Sequence, residues 1–295
     1  MSRGSQRRGS PRGCRRGNAM GEKRRGGEKT TDCEQEARGN DTEGLWGSVG
    51  KGFTKKMRRV ARAAEDLLYP RRCPLCDRPV RPFGSLICRE CEKLPVRVTG
   101  STCRRCGKAL ADPAAEYCGD CLRTRHVFES GGAVFEYHSI QGAIYRFKYD
   151  GRAEYADWFG REMAEKLCTM MRQERWRADA LIPVPLYEKR RKERGYNQAA
   201  LLAQQVSRRT GIPVREDILV RVRATAPMKN KSLDDRRISL QGAFFACSVE
   251  DNRKSFIIVD DIFTTGATVD ACAEALYHAG AVSVHFLTLA VGGAG

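Results

Sequence analysis

The chain has 295 residues and a formal net charge of +17, from 53 basic and 36 acidic side chains. That length suits one sizeable domain and a smaller module. No apolar run approaches the roughly eighteen residues of a membrane span, and the basic N-terminus lacks the apolar core of a secretory signal, so a cytoplasmic protein without a membrane partner is expected.

Residues 1–56 are rich in Gly, Arg, Lys, Ser and Glu, with Leu45, Trp46, Val49 and Phe53 as the large apolar side chains. Such a segment buries too little surface to offset its ordering entropy, so disorder is expected. Its Arg-Gly stretches could meet nucleic-acid phosphates nonspecifically. Fourteen Lys or Arg against seven Asp or Glu put +7 of the charge in this leader and leave +10 for residues 57–295. Met57 opens an amphipathic helix with Val60, Ala61, Ala64, Leu67 and Leu68 on one side, a natural domain beginning. With Met1 and Met20 it is a candidate translation start.

Eight of the thirteen cysteines form four C-x-x-C pairs, Cys73/Cys76, Cys88/Cys91, Cys103/Cys106 and Cys118/Cys121, each starting fifteen residues after the last. A period this regular marks an internal repeat. A C-x-x-C turn presents two thiolates to one metal ion and two turns complete a tetrahedral site, so two structural zinc ions are expected. Sequential pairing suits two successive ribbons; a cross-braced pairing is the geometric alternative. A closed four-cysteine site has no open position for water, so the zinc ions are structural. Each such site carries a formal charge of −2, which lowers the charge of residues 57–295 to about +6. Arg72, Arg78, Arg89, Arg104, Arg105 and Lys108 can offset these anionic centres. His126, just past the last pair, is a spare ligand only if one cysteine is misassigned, and otherwise reads as a linker histidine. The segment 57–126 is therefore a helix plus a double zinc ribbon, and 127–295 a second domain.

Beyond Val127 strands and helices alternate: a strand at Gly131–Tyr137, helices at Ser139–Tyr149 and Glu154–Arg175, and a short buried strand at Ala180–Pro183. A helix at Asn197–Thr210 stops at Gly211, strands follow at Gly242–Val249 and Ser255–Val259, then a helix from about Ala267 to Ala279 and a strand at Val282–Ala290. Alternation of this kind predicts an α/β fold, a parallel sheet with helices on both faces. In the segment Leu181–Gln198, Pro183, Val184 and Pro185 form a stiff strand exit where a cis or strained peptide is expected. Lys189, Arg190, Arg191, Lys192 and Arg194 follow, a cluster suited to pyrophosphate, and Asn197 stands as the N-cap of the next helix.

The run Phe256–Thr268, FIIVDDIFTTGAT, carries the most chemistry. Phe256–Val259 reads as a strand buried on both faces. Asp260 and Asp261 stand where it ends, the usual ligand position in an open α/β sheet. Thr264, Thr265, Gly266, Ala267 and Thr268 then bend into a helix whose first N–H groups are free for an anion. Two carboxylates for vicinal sugar hydroxyls beside an anion loop imply a ribose 5-phosphate.

This run resembles the phosphoribosyl pyrophosphate (PRPP) motif of type I phosphoribosyltransferases. Together the four cysteine pairs, IPVPL…RGYNQA and VDDIFTTGAT look like the ComF family of competence-associated proteins, over about Met57 to Ala290. Phe147-Lys148-Tyr149 with Gly151 is similar to a further family segment. The resemblance implies a type I phosphoribosyltransferase-like domain over 127–295. It implies that Asp260 and Asp261 hold the ribose, Thr264 to Thr268 the 5′-phosphate, and Pro183, Val184, Pro185, Arg190, Arg191 and Arg194 the pyrophosphate. Lys148, Tyr196 and Asn197 become further substrate contacts, and Mg2+ accompanies PRPP. The chain departs from the family pattern at Met228, where Gln is usual, and at Ser239, where Asn is usual, in the region that would close over PRPP. Lys229, Lys231, Arg236 and Arg237 remain there. The function implied is phosphoribosyl transfer to an acceptor the sequence does not name. The alternative is a non-catalytic DNA-uptake factor that binds single-stranded DNA through the ribbons and basic surface; a third option is a zinc-ribbon scaffold recruiting a competence helicase or pilus component.

Overall fold

The computed structural model describes residues 70–82, 84–174, 176–224, 238–247 and 254–292. The leader, the helix opened by Met57, and Thr225, Met228, Lys229, Lys231, Arg236 and Arg237 lie outside the described residues. The elements are α1 (Gly119–Arg123), β1 (Gly131–Glu136), α2 (Tyr137–Tyr149), α3 (Ala156–Glu174), β2 (Ala180–Pro183), α4 (Glu188–Arg194) and α5 (Gln198–Thr210). There follow β3 (Leu219–Arg221), β4 (Phe244–Ala246), β5 (Lys254–Phe263), α6 (Ala267–His278) and β6 (Ala281–Val291). Four strands form one parallel sheet in the order β1–β6–β5–β2.

The central strand β5 explains the layering. Phe256 to Val259 are all fully buried. Ile257 and Val259 share a core with Leu287 and Leu289 and with the apolar sides of α2, α3 and α5. Phe256 and Ile258 share a second core with Val284, Phe286 and α6. Alternate residues thus feed opposite layers, and a strand covered on both faces is apolar throughout. The fold is the expected one: an α/β parallel sheet with helices on both faces, preceded by a small double zinc ribbon.

The ribbons divide between the two layers. Cys73, Val80, Ile87 and Cys91 of the first join the core on the α2–α3–α5 side. Val98, Cys103 and Cys106 belong to the core on the α6 side. The linker between the ribbons runs along the edge of β1: the Val98 N–H donates to the Val134 carbonyl (2.8 Å), the Glu136 N–H to the Val96 carbonyl (2.8 Å). At the opposite edge the Leu181 N–H donates to the Pro213 carbonyl (2.8 Å) and the Arg215 N–H to the Leu181 carbonyl (3.0 Å). Both sheet edges are thereby satisfied by extended chain, which removes the open donors and acceptors that invite aggregation.

Several expectations change. β5 does not stop at Val259: it pairs with the long β6 to the end, Asp260 opposite Thr288 and Phe263 opposite Val291, so the two acids lie inside the ladder. β4 is shorter than Gly242–Val249 and pairs antiparallel with β3 in a separate two-stranded sheet, because its partner has only three residues. Among the described residues the cis peptide is Arg81–Pro82, not a bond at Pro183 or Pro185. The Pro183–Pro185 exit is held instead by hydrogen bonds, the Val184 N–H to the Val259 carbonyl (2.9 Å) and the Asn197 Nδ2 to the Val184 carbonyl (3.1 Å).

α3 and α5 cross at Gly160, where an added Cβ would stand 2.2 Å from the Gln205 Cβ and 3.3 Å from its Cα. Gly160→Ala should therefore push the helices apart and cost about 1–3 kcal/mol, read as a lower urea midpoint at unchanged m-value. An unchanged midpoint would contradict this close crossing.

Candidate functional site

β2 and β5 are neighbours in the sheet, yet their following helices leave to opposite layers: α5 packs on one side and α6 on the other. Such a switch opens a crevice at the carboxyl ends of the two strands. Here it is a cavity of about 720 Å³ lined by Lys148, Arg190, Arg194, Arg221, the acids Asp260 and Asp261, and the loop Thr264–Thr268. The structure thus brings together the end of α2, the helix after β2 and the turn after β5, segments that lie far apart along the chain.

The turn is shaped for an anion. Gly266 stands at the N-cap of α6 in the left-handed region (φ 81°), and no side chain caps the helix there. Two constraints demand glycine at this point. The positive φ disfavours a side chain, and a Cβ would meet the His126 ring at 2.7 Å. The loop is anchored behind by the Gly292 N–H, which donates to the Phe263 carbonyl (2.7 Å). The Ala267 N–H has a long contact to Thr265 Oγ1 (3.5 Å), and the first N–H groups of the helix with its dipole favour negative charge at this mouth.

The acid pair is asymmetric. Asp261 is buried and forms an ion pair with Lys148 from the last turn of α2. Asp260 has no such partner among the described residues; its Oδ1 accepts the Asp261 N–H at 2.8 Å. Burial, and next the neighbouring Asp261 carboxylate, push the Asp260 carboxyl up to about 8. Like charges this close disfavour double ionisation, and it is the Asp260 carboxyl whose pKa is raised.

The basic cluster after β2 splits. Arg190 and Arg194 line the cavity with the acids. Arg191 instead lines a neighbouring cavity of about 500 Å³ with Pro183, Pro185, Tyr196 and Asn197. The Tyr196 hydroxyl donates to the Phe147 carbonyl, and Asn197 Oδ1 accepts the Ala199 N–H (3.1 Å), the expected cap. These two residues thus spend their polar atoms on locking the end of α2, and with it Lys148, to the exit of β2. Arg194 is steered by the Gln198 Oε1 (3.1 Å) and lies over the Tyr149 ring at 5.0 Å.

Arg221, at the end of β3, lines both cavities and is absent from the residues that the sequence picks out. Burial first, and then the positive charge of Arg190, hold its guanidinium below the usual range. Two cations crowded at one cavity wall favour an anionic ligand. The available signal is a basic residue ending an apolar triplet, Leu219-Val220-Arg221, too short to stand out.

The cysteines gather in sequential order. Cys73, Cys76, Cys88 and Cys91 form one group and Cys103, Cys106, Cys118 and Cys121 the other, the four sulfurs of each lying within 4.8 Å of one another. Tetrahedral zinc with Zn–S of about 2.3 Å sets its sulfurs roughly 3.8 Å apart. The Cys76–Cys88 and Cys106–Cys118 separations are 3.9 and 3.6 Å, so the geometry suits zinc and is far from the about 2.05 Å of a disulfide. The two ribbons share one knuckle design: the bridge Arg72–Pro79 recurs as Thr102–Ala109, and the left-handed Asp77 as Gly107. Nearby basic residues are engaged locally. Arg72 donates to the Asp77 carbonyl (2.8 Å), Arg105 to the His126 carbonyl (3.2 Å), and Lys108 pairs with Asp120 (2.8 Å).

These features define a double zinc ribbon protein built onto a parallel α/β domain with a crevice at its switch point. Comparison with known proteins agrees. Residues 64–122 match the family described as Double zinc ribbon domain. Competence protein F of Haemophilus influenzae is 33% identical over 197 residues, 64% of this chain and 83% of that protein. DNA utilization protein YhgH of Salmonella typhimurium is 30% identical over 220 residues, 74% of this chain and 96% of that protein. Competence protein ComFC of Bacillus subtilis is 28% identical over 211 residues, covering 69% and 83%. The chain belongs to the ComF family. Among the described residues no helix is long and apolar enough to cross a membrane.

Two measurements test this site. Native mass spectrometry should count two zinc ions per chain, one for each four-cysteine group; a different count would remove one of the groups. The second concerns pH. With its folded pKa raised to about 8, Asp260 holds a proton that the unfolded chain releases near pH 4. Its contribution therefore stabilises at low pH and is lost as pH rises through that window. Relative to wild type, Asp260→Asn should gain stability progressively as pH rises from about 5 to about 9. Parallel calorimetric stability curves for the two proteins would refute the shift.

Proposed function

We propose that the cavity at the β2–β5 switch binds PRPP with Mg2+ and that the protein transfers the phosphoribosyl group to an acceptor. One observation carries this reading: a paired acid, an uncapped helix N-terminus and the crowded cations Arg190 and Arg221 line one cavity of about 720 Å³. A sugar with vicinal hydroxyls and phosphate at both ends answers each of these features. Asp260 and Asp261 take the 2′- and 3′-hydroxyls, and the loop Thr264–Thr268 takes the 5′-phosphate. Arg190, Arg194 and Arg221 face the pyrophosphate. Magnesium, a hard cation with oxygen ligands, supplies charge neutralisation between pyrophosphate and sugar when bound.

In the transfer, the bond between ribose C1 and the pyrophosphate oxygen breaks, and its electron pair leaves with the pyrophosphate. A bond from the acceptor nucleophile to C1 forms, and the acceptor's proton passes to solvent. Positive charge builds at C1, and catalysis consists of positioning and of stabilising the departing anion. Lys148 releases Asp261 for the sugar as the ligand enters, and any proton held by Asp260 passes to solvent.

A second reading is favoured by the names of the relatives, which speak of competence and DNA utilization. Under it the same phosphate-seeking surface serves single-stranded DNA without turnover. The ribbons' own basic residues support it weakly, because Arg72, Arg105 and Lys108 are already engaged.

Titration calorimetry with Mg-PRPP should give binding to wild type, none to the double variant Asp260→Asn/Asp261→Asn, and about tenfold to a hundredfold weaker binding to Arg221→Met. Unchanged affinity in the double variant would sink the site assignment. Pyrophosphate release with a panel of bases and amines separates transfer from binding alone. Salt dependence of oligonucleotide affinity separates the DNA reading, since a slope near zero excludes a phosphate-tracking surface.

A further inference from the structure

The linker behind the anion loop is more than a connection. The His126 side chain is 2% exposed, and its Nδ1 donates to Asp270 Oδ2 at 2.8 Å. The other oxygen of Asp270 accepts the Val127 N–H at 2.7 Å. One carboxylate in the first turns of α6 thus clasps two consecutive linker residues. The His126 ring lies directly under Gly266, where any Cβ would reach it at 2.7 and 3.0 Å, and stacks on Phe128 at 4.6 Å.

The same residue is tied to the second ribbon. Arg105, between the ligands Cys103 and Cys106, donates to the His126 carbonyl at 3.2 Å. Gly107 of that knuckle sits so close to β1 that a Cβ would stand 2.6 Å from the Gly131 carbonyl oxygen and the Gly132 Cα. A continuous chain of contacts therefore runs from the second zinc-ribbon site through Arg105 and His126 to Gly266 and the start of α6. The first ribbon makes a different connection: Arg146 of α2 donates to the Pro74 (2.9 Å) and Leu75 (2.8 Å) carbonyls.

We infer that His126 is a positioning residue for the anion loop, and that the order of Thr264–Val269 depends on the second zinc ribbon and not on the first. The physical reason is twofold. The ring supports the glycine turn from below. The clasp also occupies a buried carboxylate lying one turn from the N–H groups that would receive an anion. Loss of either clasp bond leaves that buried carboxylate less well satisfied, one turn from where the ligand anion would sit.

The test is hydrogen exchange of the loop amides, followed by mass spectrometry on the full chain without ligand, with zinc content checked. In His126→Phe, which keeps a ring but loses the hydrogen bond, and in Asp270→Leu, exchange across 264–269 should quicken about tenfold while both zinc ions stay bound. Asp270→Asn can still accept the Val127 N–H and donate to His126 Nδ1 in its other tautomer, so it should exchange like wild type. Arg146→Met, which cuts the first ribbon from α2, should lower the melting temperature without changing loop exchange. Should His126→Phe fail to fold, Arg105→Met cuts the same chain of contacts from the ribbon side and should also quicken the loop. The inference falls if His126→Phe leaves exchange unchanged, if Arg146→Met quickens the loop equally, or if Asp270→Asn behaves like Asp270→Leu. Its consequence for binding rests on the proposed function: His126→Phe should weaken Mg-PRPP about tenfold. Absence of PRPP binding to wild type, with the exchange results as expected, removes that reading and leaves the positioning role standing.

Discussion

Two adjacent carboxylates near the end of a buried parallel strand are the constraint around which the molecule is arranged. Asp260 and Asp261 project from a ladder whose preceding residues are fully buried, Asp261 itself buried and Asp260 half-buried at the cavity. The surrounding elements divide the problem. Lys148 answers Asp261 with a charge, and Asp260 is left as the acid whose pKa is raised. That answer works only if α2 ends at one place, and several bonds see to it. The Tyr196 hydroxyl donates to the Phe147 carbonyl, and Arg146 reaches the main chain of the first zinc knuckle. A buried ion pair broken on one side is far more damaging than one never made, which is reason enough for such bracing.

The zinc ribbons then look less like an appended module than like two braces on opposite faces. Their ligands are core residues: Cys73 and Cys91 pack into one layer and Cys103 and Cys106 into the other. The chain between them covers the open edge of β1. A four-stranded sheet with a short edge strand such as β2 offers limited area for packing, and metal sites supply rigidity that a small core cannot. The first brace fixes the helix that bears the counter-ion of the acids, and the second backs the anion loop. Each side of the cavity is thus referred to its own metal centre.

What could be read from the sequence was what is local. The cysteine period needs no knowledge of the fold, because each knuckle closes within a single C-x-x-C turn and the two sites form from consecutive pairs. The run Phe256–Thr268 likewise carries strand, acids, turn and helix start in one stretch, and Asn197 announced its own cap. Long-range matters were hidden. That β5 continues through the acids depends on the length of β6, not on any residue of β5. Arg221 reaches the cavity only because β3 pairs with β4 beside α6. Arg190 and Arg191 are adjacent, yet a helical turn sends them to different cavities, which a charge cluster read along the chain cannot distinguish.

His126 is the sharpest case of this limit. Beyond the last cysteine pair, its residue type suggests a spare ligand or an incidental linker, and neither reading gives it a buried carboxylate partner 144 positions away. Its role exists only once α6 is laid against the linker, because Gly266 leaves room for the imidazole and Asp270 faces inward rather than toward the helix mouth. An acid in the first turn of a helix ordinarily serves the dipole, where it would compete with a bound anion. Turned inward onto Val127 and His126, it is removed from that competition. The turn at Gly266 is then supported from outside α6, by linker residues that its own sequence does not supply.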